Sequence, residues 1–295
     1  MPKKPTPPRA PGARPARAAA VPLAPESNPP VDDPRLSYPI VAIGASAGGI
    51  EAIKELLAAI PADTGMAFVL LQHTGPDHDA QLLAVLGRGV KIPATTAADG
   101  VRVEPDRIYV APAQAFVTYR DGTLHVKGQD GWRTAARPVD VFMRSLAEHH
   151  GHQSIGVVLS GTLVDGTRGL DEIKGAGGIT FAQDASAEQQ GMPRSAIATG
   201  AVDFVLSARE IGEELARIAR HPYIAPPAPD AEENAQDLQK VLTVLRGVHG
   251  TDFANYKRNT VERRVMRRMV LHKVQSLREY AELLQGNRNE VEALY

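Results

Sequence analysis

Ile40-Val41-Ala42-Ile43-Gly44-Ala45-Ser46-Ala47-Gly48-Gly49 carries four consecutive apolar residues into a glycine-rich turn, and Ile50 to Ile60 follows with helical spacing. A short, continuous apolar run reads as a strand buried on both faces, so the unit is strand, turn, helix. The grammar repeats in Ala67-Phe68-Val69-Leu70-Leu71 followed by the helical pattern His78 to Leu86. Further strands read at Arg107 to Val110, Ile155 to Leu159, Ile179 to Ala182 and Val202 to Leu206. The expected class is α/β: a doubly wound, mainly parallel sheet with helices on both faces. Phe116 to Val126 alternates instead, around Asp121-Gly122, and reads as an antiparallel hairpin at the edge of the sheet.

Outward from this region the texture changes. Ten of the 23 prolines lie in the first 30 residues with five basic residues and no acid before Glu26, which predicts a disordered tail over 1–37. Ala18 to Ala24 resembles an export signal only weakly, being short and broken by proline. The α/β domain is expected over 38–222, a proline-rich linker over 223–232, and a small all-α domain over 233–295. In that last part Leu238, Val241, Leu242 and Leu245 share a face, as do Val261, Val265 and Met269, with Leu277 continuing the pattern. A core of about 60 residues is marginal, so a packing neighbour is expected. Thirty-three Lys and Arg against 34 Asp and Glu exclude a polyelectrolyte built for nucleic acid, and the absence of cysteine excludes disulfides and thiolate metal sites. With no apolar run near the roughly 18 residues a membrane span needs, the expectation is a cytoplasmic protein.

Ser46 stands at a strand-to-helix turn, on the sheet edge where open α/β folds bind ligands. Gly44 and Gly48 give it the spacing of a nucleophile elbow, and free amides at the helix start, near Ala47, suit an oxyanion. A glycine turn of this kind also fits a dinucleotide phosphate, but that reading needs a carboxylate at the end of the second strand, where this chain has Gln72-His73. His73 is placed to exchange a proton with a strand-end serine. Asp165, after the strand Ile155 to Leu159, reads as its orienting carboxylate or as a helix cap. The order Ser, His, Asp differs from the Ser, Asp, His order of α/β-hydrolases, which implies a separate fold.

These residues resemble the chemotaxis protein-glutamate methylesterases (CheB) over Tyr38 to Ala208. The likeness is carried by Ile43 to Gly49, Gln72-His73, Ile108-Tyr109-Val110-Ala111-Pro112, Leu159-Ser160-Gly161 with Asp165-Gly166, Ala182-Gln183-Asp184, Gly191-Met192-Pro193-Arg194 and Gly200 to Asp203. The resemblance implies Ser46 as nucleophile, His73 as general base and acid, and Asp165 as orienting partner. It adds Ala47, Thr162 and Met192 as oxyanion or substrate-binding candidates. The implied reaction is hydrolysis of receptor glutamate methyl esters, with deamidation of glutamine by the same chemistry and no metal or cofactor. The chain departs from the family where Thr162-Leu163-Val164 replaces methionine, glycine and a small polar residue, which puts the placement of Asp165 at stake. No phosphorylatable receiver domain is expected in the 37 residues upstream.

Asp252 to Met269 resembles the helical N-terminal domain of chemotaxis receptor methyltransferases (CheR). Seven basic residues between Lys257 and Lys273 face one acid, Glu262, and the resemblance implies contact with the cytoplasmic helices of methyl-accepting chemoreceptors. Without interleaved aromatics, nucleic acid is not the expected partner; neither is a membrane. Methyl transfer is not expected, because no glycine-rich S-adenosylmethionine site precedes Tyr295. The alternative function is a catalytically weakened receptor-binding or scaffold protein.

Overall fold

The computed structural model describes residues 38–72, 78–128, 137–223, 231–250, 253 and 257–295. Seven strands form one parallel sheet: β1 (Ile40–Ala45), β2 (Ala67–Gln72), β3 (Ala94–Thr96), β5 (Arg107–Val110), β8 (Ser154–Val158), β9 (Ile179–Gln183) and β10 (Phe204–Leu206). Their order is β10-β9-β8-β1-β2-β5-β3, so the chain winds one way from β1 through β2 and the other way through β8. The crevice beside β1 is therefore the topological switch point, where open α/β sheets bind ligands.

Side chains of β1 alternate between two cores, as the two-residue period of a strand demands. Val41, Ile43 and Ala45 join α1 (Gly49–Ala58) and α6 (Ala208–Ile218) on one face. Ile40 and Ala42 join α3 (Pro138–His150), α4 (Thr167–Gly175) and α5 (Gly191–Ala198) on the other. The expected strands are present, with β10 opening at Phe204 because Val202 and Asp203 form its approach. The segment α2 (His78–Leu86) is helical as its pattern predicts.

The Asp121-Gly122 hairpin forms from β6 (Ala115–Arg120) and β7 (Thr123–Gly128), with both turn residues at positive φ. With β4 (Val101–Arg102) these strands make a three-stranded antiparallel sheet of their own instead of extending the parallel one. The short β3 and β4 were not expected: two or three residues carry no periodicity to read.

The C-terminal helices are α7 (Ala231–His249), α8 (Arg258–Leu271), α9 (Leu277–Gly286) and α10 (Arg288–Leu294). Leu238, Val241, Leu245, Val265, Met269, Tyr280, Leu284 and Val291 form their core. The expected tail over 1–37 and most of the expected linker, 224–230, lie outside the described residues. Tyr223, assigned to that linker, is packed in the core of the α/β domain. Among the described residues no helix is long and apolar enough to cross a membrane.

Candidate active site

Ser46 follows β1 directly, and its amide donates to the Ser160 carbonyl at 2.9 Å while its carbonyl receives the Gly49 amide at 2.9 Å. The turn closes on Gly48, whose φ of 73° is the left-handed conformation that glycine adopts at little cost. Ser46 is not among the residues with positive φ, so its backbone lacks the strained nucleophile-elbow conformation that its spacing suggested. The serine is half-buried and Ala47 is exposed at the start of α1.

Ser160 holds this turn in place. Fully buried at the end of β8, it donates its hydroxyl to the Ala47 carbonyl at 2.9 Å and accepts the Gln189 amide at 3.0 Å. Its own amide is received by Gln183 Oε1 at 2.9 Å. One serine thus links the turns after β1 and β8 to the end of β9 and the 189 loop.

Asp165 is 3% exposed, and its carboxylate sits on the N-terminus of α3. Oδ2 accepts the Val139 amide at 3.0 Å, and Oδ1 accepts the amides of Asp140 and Gly166 at 2.9 Å each. Three amides, two of them at the start of α3, fix the orientation of the carboxyl group. Gly44 makes the arrangement possible: a Cβ at this position would lie 2.4 Å from Val139 Cγ1, so only glycine lets α3 come this close to β1.

Asp140 returns the contact, its Oδ1 accepting the Gly169 amide of α4 at 2.8 Å while Arg137 lies 3.7 Å from Oδ2. Burial, with the nearby Asp165 charge adding to it, raises the Asp140 carboxyl above the usual carboxylate range. In the structure Asp140 lies in the first turn of α3, a helix the sequence reading did not include. Its partnership with a loop 25 residues away had no local signal, and neither did the linking role of Ser160.

Of the expected site residues, Ser46 and Asp165 follow the carboxyl ends of adjacent strands, β1 and β8. His73 lies outside the described residues; Gln72, which precedes it in sequence, is the register partner of Ala45, which precedes Ser46. Thr162 is exposed on the loop before Asp165. Met192, expected as a substrate or oxyanion residue, is fully buried, and its amide donates to the Gly161 carbonyl at 2.9 Å. It packs beneath the loop: a Cβ on Gly161 would lie 2.2 Å from its sulfur and 2.9 Å from Ser46 Cβ. Leu163, where the resemblance leads one to expect glycine, has φ 69°, so the leucine itself adopts the left-handed turn and Asp165 is buried.

Comparison with known proteins matches this scaffold twice. The CheB methylesterase family model matches residues 41–215, and the model for the CheR methyltransferase all-alpha domain matches 236–295. An uncharacterized 104.1 kDa protein of Rhodobacter capsulatus is 33% identical over 237 residues, 72% of this chain and 25% of the relative. Protein-glutamate methylesterase/protein-glutamine glutaminase 5 of Anaeromyxobacter dehalogenans is 40% identical over 186 residues, 61% of this chain and 51% of the relative. The chain spans about half the length of the Anaeromyxobacter and Burkholderia methylesterase relatives it matches. The catalytic domain of CheB methylesterase from Thermotoga maritima aligns with a TM-score of 0.55 at 29% identity, covering 61% of this chain and 98% of that domain. A parallel sheet with a serine at its switch point, matched over 41–215 by the family model and over nearly its whole length by the solved catalytic domain, makes this chain a member of the CheB methylesterase family.

Proposed function

We propose that this chain hydrolyses glutamate γ-methyl esters on the cytoplasmic helices of chemoreceptors through an acyl-enzyme on Ser46. The observation that carries the reading is the seat of Asp165: a buried carboxylate held by three amides at the end of β8, beside the strand that delivers Ser46. In this mechanism His73 takes the Ser46 proton as Oγ attacks the ester carbonyl. The Ala47 amide, at the start of α1, stabilises the oxyanion, and the proton passes to the departing methoxide to give methanol. Water, deprotonated by His73, then cleaves the acyl-enzyme to leave glutamate and free serine. Asp165 orients the imidazole and favours its charged form. A glutamine substrate follows the same course with ammonia as the leaving group, in line with the double name of the relatives. The chain divides for this work into the α/β domain and the C-terminal helices.

The test is methanol release from a methyl-esterified receptor fragment together with fluorophosphonate labelling. Wild type should release methanol and label at Ser46, and Ser46→Ala should do neither while keeping its circular dichroism. Methanol release undiminished in Ser46→Ala overturns the nucleophile assignment. Receptor binding without labelling of wild type would overturn the hydrolase reading in favour of a receptor-binding scaffold.

A further inference from the structure

We propose that Leu163 and Val164 form an apolar lip that selects the polypeptide carrying the ester, by packing on apolar side chains that flank the modified glutamate. The proposal rests on the hydrolase reading of Ser46 and deepens it.

Leu163 is 77% exposed, the most exposed of the large apolar side chains among the described residues, and Val164 beside it is 37% exposed. Leucine at φ 69° occupies a region that side chains with a Cβ rarely adopt, and so exposed a side chain has little packing within the described fold to offset the cost. The lip is held, however. A Cβ on Gly191 would lie 2.9 Å from the Leu163 amide nitrogen and 3.1 Å from its carbonyl oxygen, so the start of α5 is pressed against this backbone. The Gly161 carbonyl is tied to the Met192 amide, and the Val164 carbonyl receives the Thr167 amide at 3.4 Å.

Position names the occupant. Leu163 stands two residues from Gly161, which abuts Ser46, and two from Asp165. Two Cα steps reach no more than about 7.6 Å, so the lip and the nucleophile share one rim. An ester carbonyl within about 3.5 Å of Ser46 brings the neighbouring residues of its own chain over that rim. Apolar neighbours would cover the lip and polar ones would leave it wet.

The experiment uses the full chain and two peptides carrying glutamate γ-methyl ester, identical except for leucine or serine beside the ester, with p-nitrophenyl acetate as the small ester. Wild type should prefer the leucine peptide by about tenfold in kcat/KM, the scale of burying one leucine-sized contact. Leu163→Asn keeps a residue that tolerates left-handed φ and removes the apolar surface. It should bring the two peptides within about twofold of each other through KM, with a loss on the leucine peptide at least fivefold greater than on p-nitrophenyl acetate. Leu163→Gly should do the same, separating loss of the side chain from any effect of asparagine. Equal losses on all three substrates overturn the lip and make the loop a support for Asp165. Wild type that cleaves p-nitrophenyl acetate but treats both peptides alike overturns the lip alone, and wild type inert to all three overturns the reading of Ser46 and the lip with it.

Discussion

Asp165 and Asp140 exchange helix ends. The carboxylate before α4 caps α3, and the carboxylate on α3 caps α4 through Gly169, so neither helix shifts without moving both acids. Asp140→Ala leaves the Gly169 amide uncapped, about 1 kcal/mol of stability by the usual worth of a cap, and frees the start of α3 on which Asp165 sits. We expect kcat for ester hydrolysis to fall about tenfold with KM little changed, and Asp140→Asn, which keeps an acceptor for Gly169, to recover most of it. Steady-state kinetics beside melting temperature decides the matter: kcat at the wild-type level in Asp140→Ala despite a lower melting temperature would make Asp140 a structural cap alone. Ser46 and Asp165 were legible in the sequence because each sits in a short motif after an apolar run. Ser160 and Asp140 were not, because what they do depends on partners 23 to 113 residues away.

At the scale of elements, strands buried on both faces show as unbroken apolar runs, whereas the i, i+4 spacing of α8 reveals one of its two apolar faces. Val265 and Met269 enter the helical core, while Met266 and Val270, one position further round, pack on the α/β domain. The end of α3 carries a different signal. His150 Nε2 must donate to the Tyr38 carbonyl at 2.8 Å, since that oxygen only accepts, and Nδ1 then accepts the Tyr119 hydroxyl at 3.1 Å. Burial pushes its pKa down from 6.5 to about 4, so the folded chain holds it neutral where the unfolded chain would protonate it. The unfolded state thus binds the extra proton, and stability present above pH 6.5 drains away as pH falls toward 4. At about 1.4 kcal/mol per pKa unit, the loss from this group reaches about 2 kcal/mol by pH 5. Urea unfolding at pH 7 and pH 5 should show a smaller difference in His150→Gln than in wild type; equal pH dependence in the two proteins would remove His150 as the source.

Over the whole molecule, the helical part finds the packing neighbour that its small core requires. Arg267 donates to the Gly178 carbonyl at 3.1 Å and to Asp203 at 2.6 Å, Arg217 reaches the Val270 carbonyl at 3.0 Å, and His221 joins Val274 at 2.8 Å. Arg268 is bound to Glu290 inside the helical domain. Lys273 lies 3.7 Å from Glu214, so at least three of the seven basic residues expected to face a receptor have partners within the chain. Gly178 and Asp203 immediately precede β9 and β10, so α8 docks on the amino edge of the sheet, whereas Ser46 and Asp165 follow the carboxyl ends of β1 and β8. The sequence showed the helices and their charge, but a docking made by single residues from α6, the β9 and β10 approaches and α8 had no contiguous pattern to reveal it. Arg267→Ala removes one partner of a largely buried pair; Asp203 keeps Thr180 and Lys174, which holds the cost to about 1–3 kcal/mol, below the roughly 3–5 kcal/mol of a fully orphaned charge. We expect trypsin to cut the C-terminal helices faster in this variant while fluorophosphonate still labels Ser46 at the wild-type rate, because the two edges are separated by the full length of the strands. A variant that loses labelling in step with its protease resistance would show that the docked helices and the catalytic rim are coupled across the sheet, and unchanged proteolysis would show that Arg267 does not hold them.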